Sequence, residues 1–247
     1  MSSADVTIRA PDGTCAVSFH LPEGSGPWPG VIMYPDAGGT RPAMRTMATR
    51  LASSGYAVLL PDVYYRHGDW TPFSMDTVFT LDSERHRLFQ MIGSLKAEMS
   101  VRDCGAFLDF LATHPDVKTG PVGTTGYCMG GRISLIVAGH HPDRIGAAAS
   151  FHGGRLAVEE DPDSPHHLAG SVKAVVYVGA AIDDASFDQA QEDRLRTAYT
   201  DAGVQFTIET YQALHGFAVP DNVPYDEKCA EGHYRALANL YSDALAS

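Results

Sequence analysis

A mainly parallel α/β sheet, covered by helices on both faces and opened by an antiparallel hairpin, is the fold class this sequence predicts. Short apolar runs of strand length recur along the chain, among them Val31-Ile32-Met33-Tyr34, Tyr56-Ala57-Val58-Leu59-Leu60 and Gly146-Ala147-Ala148-Ala149-Ser150-Phe151. Segments of helical period separate them, and repeated strand–helix alternation implies a parallel sheet buried on both sides. One strand–helix junction reads Gly126-Tyr127-Cys128-Met129-Gly130-Gly131. Strand, Gly-x-nucleophile-x-Gly, helix is the nucleophile elbow, here with cysteine where serine is commoner.

Each element has a local reason. Val6-Thr7-Ile8 and Ala16-Val17-Ser18-Phe19 flank the turn former Pro11-Asp12-Gly13 and read as the hairpin. After a Gly/Pro-rich loop from Pro22 to Pro29, Val31–Tyr34 is a strand ended by Pro35-Asp36-Ala37-Gly38-Gly39. A helix from Pro42 to Ser54 carries Met44, Met47, Ala48 and Leu51 on one face, and Gly55 stops it. The strand Tyr56–Leu60 closes at Pro61-Asp62, where the least regular stretch begins. Residues 62–82 scatter Tyr64, Tyr65, Trp70, Phe73 and Phe79 among polar residues and prolines. The stretch leaves the carboxyl end of a strand, where open α/β sheets place ligands. It reads equally as a partial lid or as a loop pinned to the core by its aromatics.

A short helix is expected over Glu84–Ile92. A longer one over Ala97–His114 has Met99, Cys104, Phe107, Leu108 and Leu111 as its stripe. Pro121–Thr125 then reads as the elbow strand and Arg132–Ala138 as its buried helix. Further strands are expected at Gly146–Phe151, Val172–Val178 and Val204–Tyr211, with a helix over Phe187–Ala202 and a last one over Tyr225–Leu245. No repeat, low-complexity tract or linker interrupts the series, so residues 1–247 read as one domain.

Composition narrows the function. The chain has 247 residues, 44% of them hydrophobic and 19% charged, as in an ordinary globular protein. A formal net charge of −12 argues against nucleic acid and anionic membrane surfaces, which attract basic patches. Met1-Ser2-Ser3-Ala4-Asp5 lacks the basic and apolar regions of a signal peptide, and no apolar run reaches spanning length. The expected location is cytoplasmic. Cys15, Cys104, Cys128 and Cys229 form no C-x-x-C pair, which suits neither a zinc site nor a dithiol redox motif. His140-His141 and His166-His167 lack a converging ligand set, so neither metal nor cofactor is expected.

Cys128 stands apart from the other cysteines because of its glycines. A side chain raised on so sharp a turn needs strained backbone, and bulk two residues away would clash. The turn also leaves Cys128 at a helix N-terminus, which favours a thiolate. The plainer reading is a tight βα turn around a core cysteine. A thiol nucleophile needs a base and a group to orient that base. In this architecture the chain order is nucleophile, acid, histidine, each in a loop at a strand end. Cys128, Asp184 (or its neighbour Asp183) and His215 occupy those places. His152, at another strand end on this side, reads either as pocket lining or as a histidine hydrogen-bonded within a Gly-rich loop.

With Gly-Tyr-Cys-Met-Gly-Gly, a strand-end Asp and His215-Gly216-Phe217 in view, the chain resembles the dienelactone hydrolase family from the hairpin to the last helix. The resemblance implies the α/β-hydrolase fold and a Cys-His-Asp triad acting on esters and lactones. It favours Asp184 over Asp183 as the triad acid, since the last residue of the strand-end triplet holds that role. It implies an oxyanion hole from the backbone N–H groups of Met129 and Ala37. Founding members carry a glutamate just past the third strand that holds the resting thiol; Asp36 stands there here. They also grip a substrate carboxylate with an arginine four residues beyond the histidine, where this chain has Val219. Arg85 or Arg87 could supply a cation instead, or be solvated helix surface. The expected substrate is therefore a small neutral ester or lactone. Alternatives are a thioesterase or general carboxylesterase, and a non-catalytic binding protein that kept the fold. Oligomeric state is not legible.

Overall fold

The computed structural model describes residues 2–245. The opening hairpin pairs β1 (Ser2–Ala10) with β2 (Gly13–Leu21) antiparallel, Val6 opposite Val17. β2 runs antiparallel to β4 (Ala57–Pro61). From β4 onward all neighbours are parallel: β3 (Gly30–Tyr34), β5 (Val122–Tyr127), β6 (Ile145–Phe151), β7 (Val175–Ala181) and β8 (Phe206–Tyr211). The eight-stranded order is β1-β2-β4-β3-β5-β6-β7-β8. This is the α/β-hydrolase arrangement expected from the sequence.

Strand residues divide between two cores with a period of two. Ile32, Tyr34, Ala57 and Leu59 point to one face, where α2 (Asp82–Ser94), α3 (Ala97–Thr113), α4 (Met129–His140) and α5 (Gln189–Asp201) cover them. Val31, Met33, Val58 and Leu60 point to the other, under α1 (Pro42–Ser53) and α6 (Glu227–Ala244). A strand buried on both faces loses alternation in its sequence, which is why these runs look uniformly apolar. Met44, Met47, Ala48 and Leu51 form the buried face of α1 as their spacing requires. Among the described residues no helix is long and apolar enough to cross a membrane.

The differences from expectation sit at element ends. β7 begins at Val175 rather than Val172, because Pro165–Ser171 forms a 3-10 helix that Val172 closes. α4 begins at Met129, three residues early, because Cys128 is its N-cap. α6 begins at Glu227, where the Asp226 carboxylate accepts the Cys229 N–H and caps the helix. Residues 62–82 are held down by Tyr64, Trp70 and Phe73, whereas Phe79 stands exposed. Tyr64, Phe73, Met75 and Val78 are buried, and Trp70 donates to Asp62 while packing edge-on against Tyr64.

The chain passes from β3 to β4 on one side and then to β5 on the other. That reversal opens a crevice beyond the carboxyl ends of β3 and β5, where open α/β sheets bind ligands. Ala37 follows β3 and Cys128 follows β5. The loops after β6, β7 and β8 bring His152, Asp184 and His215 to the same edge.

Candidate active site

Cys128 sits on the elbow with φ 51° and ψ −114°, a backbone conformation that L side chains rarely adopt. Its N–H is held by the Phe151 carbonyl at 3.0 Å, and its own carbonyl accepts from Gly131. The flanking glycines are required by contact rather than by their own dihedrals. A Cβ at Gly126 would land on the backbone of Gly130, and one at Gly130 would land on the carbonyls of Tyr34 and Pro35. The strain is thus enforced by the packing of both glycines, and Cys128 stays partly buried at the start of α4.

His215 lies four residues past β8, with its Nδ1 2.6 Å from Asp184 Oδ2. Asp184 is held in turn: its Oδ1 accepts from the Ser186 hydroxyl at 2.6 Å and the Ser186 N–H at 2.9 Å. Its side chain is only 5% exposed. Burial raises its pKa, but the hydrogen bonds from His215 and Ser186 outweigh that and hold it below the usual carboxylate value. Burial pulls His215 down, yet its hydrogen bonds to Asp184 and to Cys128 win and raise it to about 10. The adjacent Asp183 is exposed and has a left-handed backbone, φ 53°. Of the pair, only Asp184 reaches the histidine.

Cys128, His215 and Ser186 open on one cavity of about 470 Å³, together with Ala37 and Met129. The Tyr64 hydroxyl donates to the Ala37 carbonyl at 3.0 Å and touches the Met129 sulfur at 3.5 Å, so one buried ring braces both residues beside the thiol. A second cavity of about 450 Å³ lies against Tyr177, Glu209 and Arg235 and contains none of these groups. Among the described residues no three His, Cys, Asp or Glu side chains converge as a metal site.

A family model for the dienelactone hydrolase family matches residues 16–245. The chain belongs to the dienelactone hydrolase family. It is a hydrolase of that type. A Methylorubrum extorquens protein provisionally named a carboxymethylenebutenolidase is 26% identical over 246 residues, covering 97% of this chain and 80% of the relative. A Klebsiella pneumoniae structure provisionally named a dienelactone hydrolase superposes with a TM-score of 0.84 at 24% identity, covering 98% of both chains. A dienelactone hydrolase-like promiscuous phosphotriesterase from metagenomic libraries superposes at 0.78 with 26% identity, covering 99% of both.

Against the family pattern, Asp36 is engaged elsewhere than at the thiol. It is 2% exposed, and Arg41 donates to both its oxygens, at 2.6 and 3.0 Å. The same guanidinium donates to both oxygens of Asp221, at 2.7 Å each, and Asn222 also reaches Asp36. Arg41 thus ties the loop carrying Ala37 to the loop that follows His215. Asp36 also accepts the Gly38 N–H at 2.9 Å, which holds the Ala37 turn closed. Val219 is fully buried in the apolar core under α6 and does not line the cavity. Arg85 pairs with Asp82 on the exposed side of α2 and also lies off the cavity wall. Arg87 pairs with Glu84 and lies over the Phe73 ring.

The cations at the cavity are Lys96, Arg132 and Arg155, which sequence reading passed over. Arg132 donates to Asp161 at 3.1 Å and to backbone carbonyls of the loop after β6; Arg155 donates to the same Asp161 at 3.0 Å. Burial draws Arg132 below the ordinary guanidinium range, opposed by Asp161. His152 is fully buried with φ 39°, and neither ring nitrogen meets a hydrogen-bond partner from another residue. It packs edge-on against His215, ring centroids 5.2 Å apart, and is absent from the cavity wall. Ser186, Arg41, Asp221 and Tyr64 carried no motif. Ser186 and Tyr64 each lie two residues past an aspartate whose carboxylate accepts their N–H, a recognisable Asx turn.

Proposed function

We propose that this family member hydrolyses a small carboxylic ester or lactone through Cys128, with His215 as the proton carrier and Asp184 as its orienter. The observation that carries the reading is the Asp184–His215 pair, Oδ2 2.6 Å from Nδ1, with His215 opening on the same cavity as Cys128 on its glycine-walled elbow. His215 takes the thiol proton, and Asp184 stabilises the imidazolium and fixes its tautomer. The thiolate attacks the ester carbonyl carbon, and the resulting oxyanion is held by the N–H groups of Met129 and Ala37. The carbon–oxygen bond breaks, and His215 passes its proton to the departing alkoxide. Water, deprotonated by His215, then cleaves the thioester, releasing the acid and restoring the thiol. The thiol proton leaves with the alcohol and a proton from water replaces it on sulfur, so the protein is restored and the net reaction consumes only water.

A panel of lactones, aryl esters and acyl thioesters tests this reading on the wild type and on Cys128→Ala. Turnover of oxygen esters or lactones, lost in Cys128→Ala, together with an acyl adduct on Cys128 by intact-protein mass spectrometry, is the expected result. Undiminished hydrolysis in Cys128→Ala would overturn it. Turnover confined to thioesters would move the reading to a thioesterase.

A further inference from the structure

The cavity extends well beyond what a small lactone fills, and its extension is apolar. α4 starts at Cys128 and contributes Ile133 and Ile136, three apart on one face. At about 1.5 Å rise per residue, Ile136 lies roughly 12 Å along the helix from the nucleophile. The facing wall is the end of α2, with Phe89 and Ile92 also three apart, followed by Leu95. Ile133 and Ile136 are 5% and 2% exposed, whereas Phe89 stands 58% exposed at the lip.

The cations of this cavity are already engaged. Arg132 and Arg155 share Asp161, and Lys96 donates to the Gly93 carbonyl. The apolar side chains have no such partner across the gap. A ligand entering here gains by burying hydrocarbon, and gains little by offering charge.

We propose that the trough between α4 and α2 is an acyl-chain slot, and that the preferred substrates are neutral esters of medium-chain acids. The inference rests on ester cleavage at Cys128, because the scissile carbonyl must sit at the thiol for its chain to run along α4. The Cys128 end takes the carbonyl, Ile133 and Ile92 flank the middle methylenes, and Ile136 closes the far end.

The test is kcat/KM for 4-nitrophenyl acetate, butyrate, hexanoate and octanoate. A rise of at least tenfold from acetate to hexanoate is expected, since each buried methylene contributes roughly a few-fold. Ile136→Trp should lower the octanoate-to-acetate ratio at least fivefold by shortening the slot. Phe89→Ala, at an exposed position that folding does not depend on, should lower it about threefold. Kd values of Cys128→Ala for 2-butanone, 2-hexanone and 2-decanone read the slot without turnover. Tighter binding of longer ketones with no ester hydrolysis in the wild type would keep the slot and remove the proposed reaction. Flat chain-length dependence in both series would overturn the slot while leaving ester hydrolysis standing.

Discussion

Two histidines end loops on the same edge of the sheet, 5.2 Å apart between ring centroids, and the fold treats them in opposite ways. His215 meets Asp184 at 2.6 Å and the Cys128 thiol, and is raised to about 10 despite its burial. His152 is fully buried, meets no partner from another residue, and is driven well below the ordinary histidine value. Burial is the main cause, and His215 and His233 add to it. Burial acts in the same direction on both rings. The Asp184 carboxylate reverses it for one of them. Position at a strand end does not by itself set the charge a histidine favours; a held carboxylate partner does.

Removing that partner should have the largest effect. Asp184→Asn is expected to lower kcat roughly a thousandfold or more, because the amide admits the wrong tautomer. Asp183→Asn should cost less than about threefold. The reverse ranking in steady-state kinetics would move the role to Asp183. The pH profile sharpens the point. A histidine raised above its unfolded value contributes stability that is present below the ordinary pKa and is lost as pH rises through about 10. The alkaline limb of kcat/KM should lie in that upper range for the wild type and move to lower pH in Asp184→Asn. An unmoved limb would mean that another group sets it.

A smaller effect is expected at the partnerless ring. His152→Leu replaces two unsatisfied buried nitrogens with carbon of similar volume, and should raise stability by about 1 kcal/mol. Urea unfolding reads the change. Hydrolysis within about threefold of wild type is expected alongside. A variant that loses both stability and turnover would give the His152 nitrogens a polar role after all.

The smallest effect carries the comparison to the cavity wall. Arg132 and Arg155 are there because the loop after β6 folds over α4, but Asp161 occupies both. Neutral esters should therefore be preferred to carboxylate-bearing ones, on the ground of these paired arginines and not of Val219, which lies off the cavity. Asp161→Asn should free the guanidiniums and shift the anionic-to-neutral kcat/KM ratio upward by about threefold, under about 1 kcal/mol. A ratio that stays put would exclude these arginines from contact with the substrate's charge.

Much of this was legible in order along the chain. The apolar runs, the helical stripe of α1, the hairpin and the elbow are short-range patterns, and short-range patterns are set by backbone geometry that neighbours impose. Gly126 and Gly130 could be assigned from spacing alone, because the close approaches they permit lie within a few residues or at the next strand end. The order Cys128, Asp184, His215 was legible too, since parallel strands bring successive loops to one edge. Element ends were less so. β7 was displaced by three residues because a 3-10 helix competes for Val172, a contest decided by packing rather than propensity.

The partnerships were decided by the tertiary structure alone. Asp36 and Asp221 are 185 positions apart and share one arginine, so nothing local distinguishes Asp36 from a carboxylate aimed at the thiol. The same holds for Arg132 and Asp161, 29 positions apart. A polar side chain can be satisfied by any group the fold brings within about 3 Å, and that choice is made across the whole chain. By itself, then, the sequence determined the fold and the kinds of group at the crevice. Which of those groups hold one another, and which are left with only hydrocarbon around them, waited on the closed sheet and the helices laid over it.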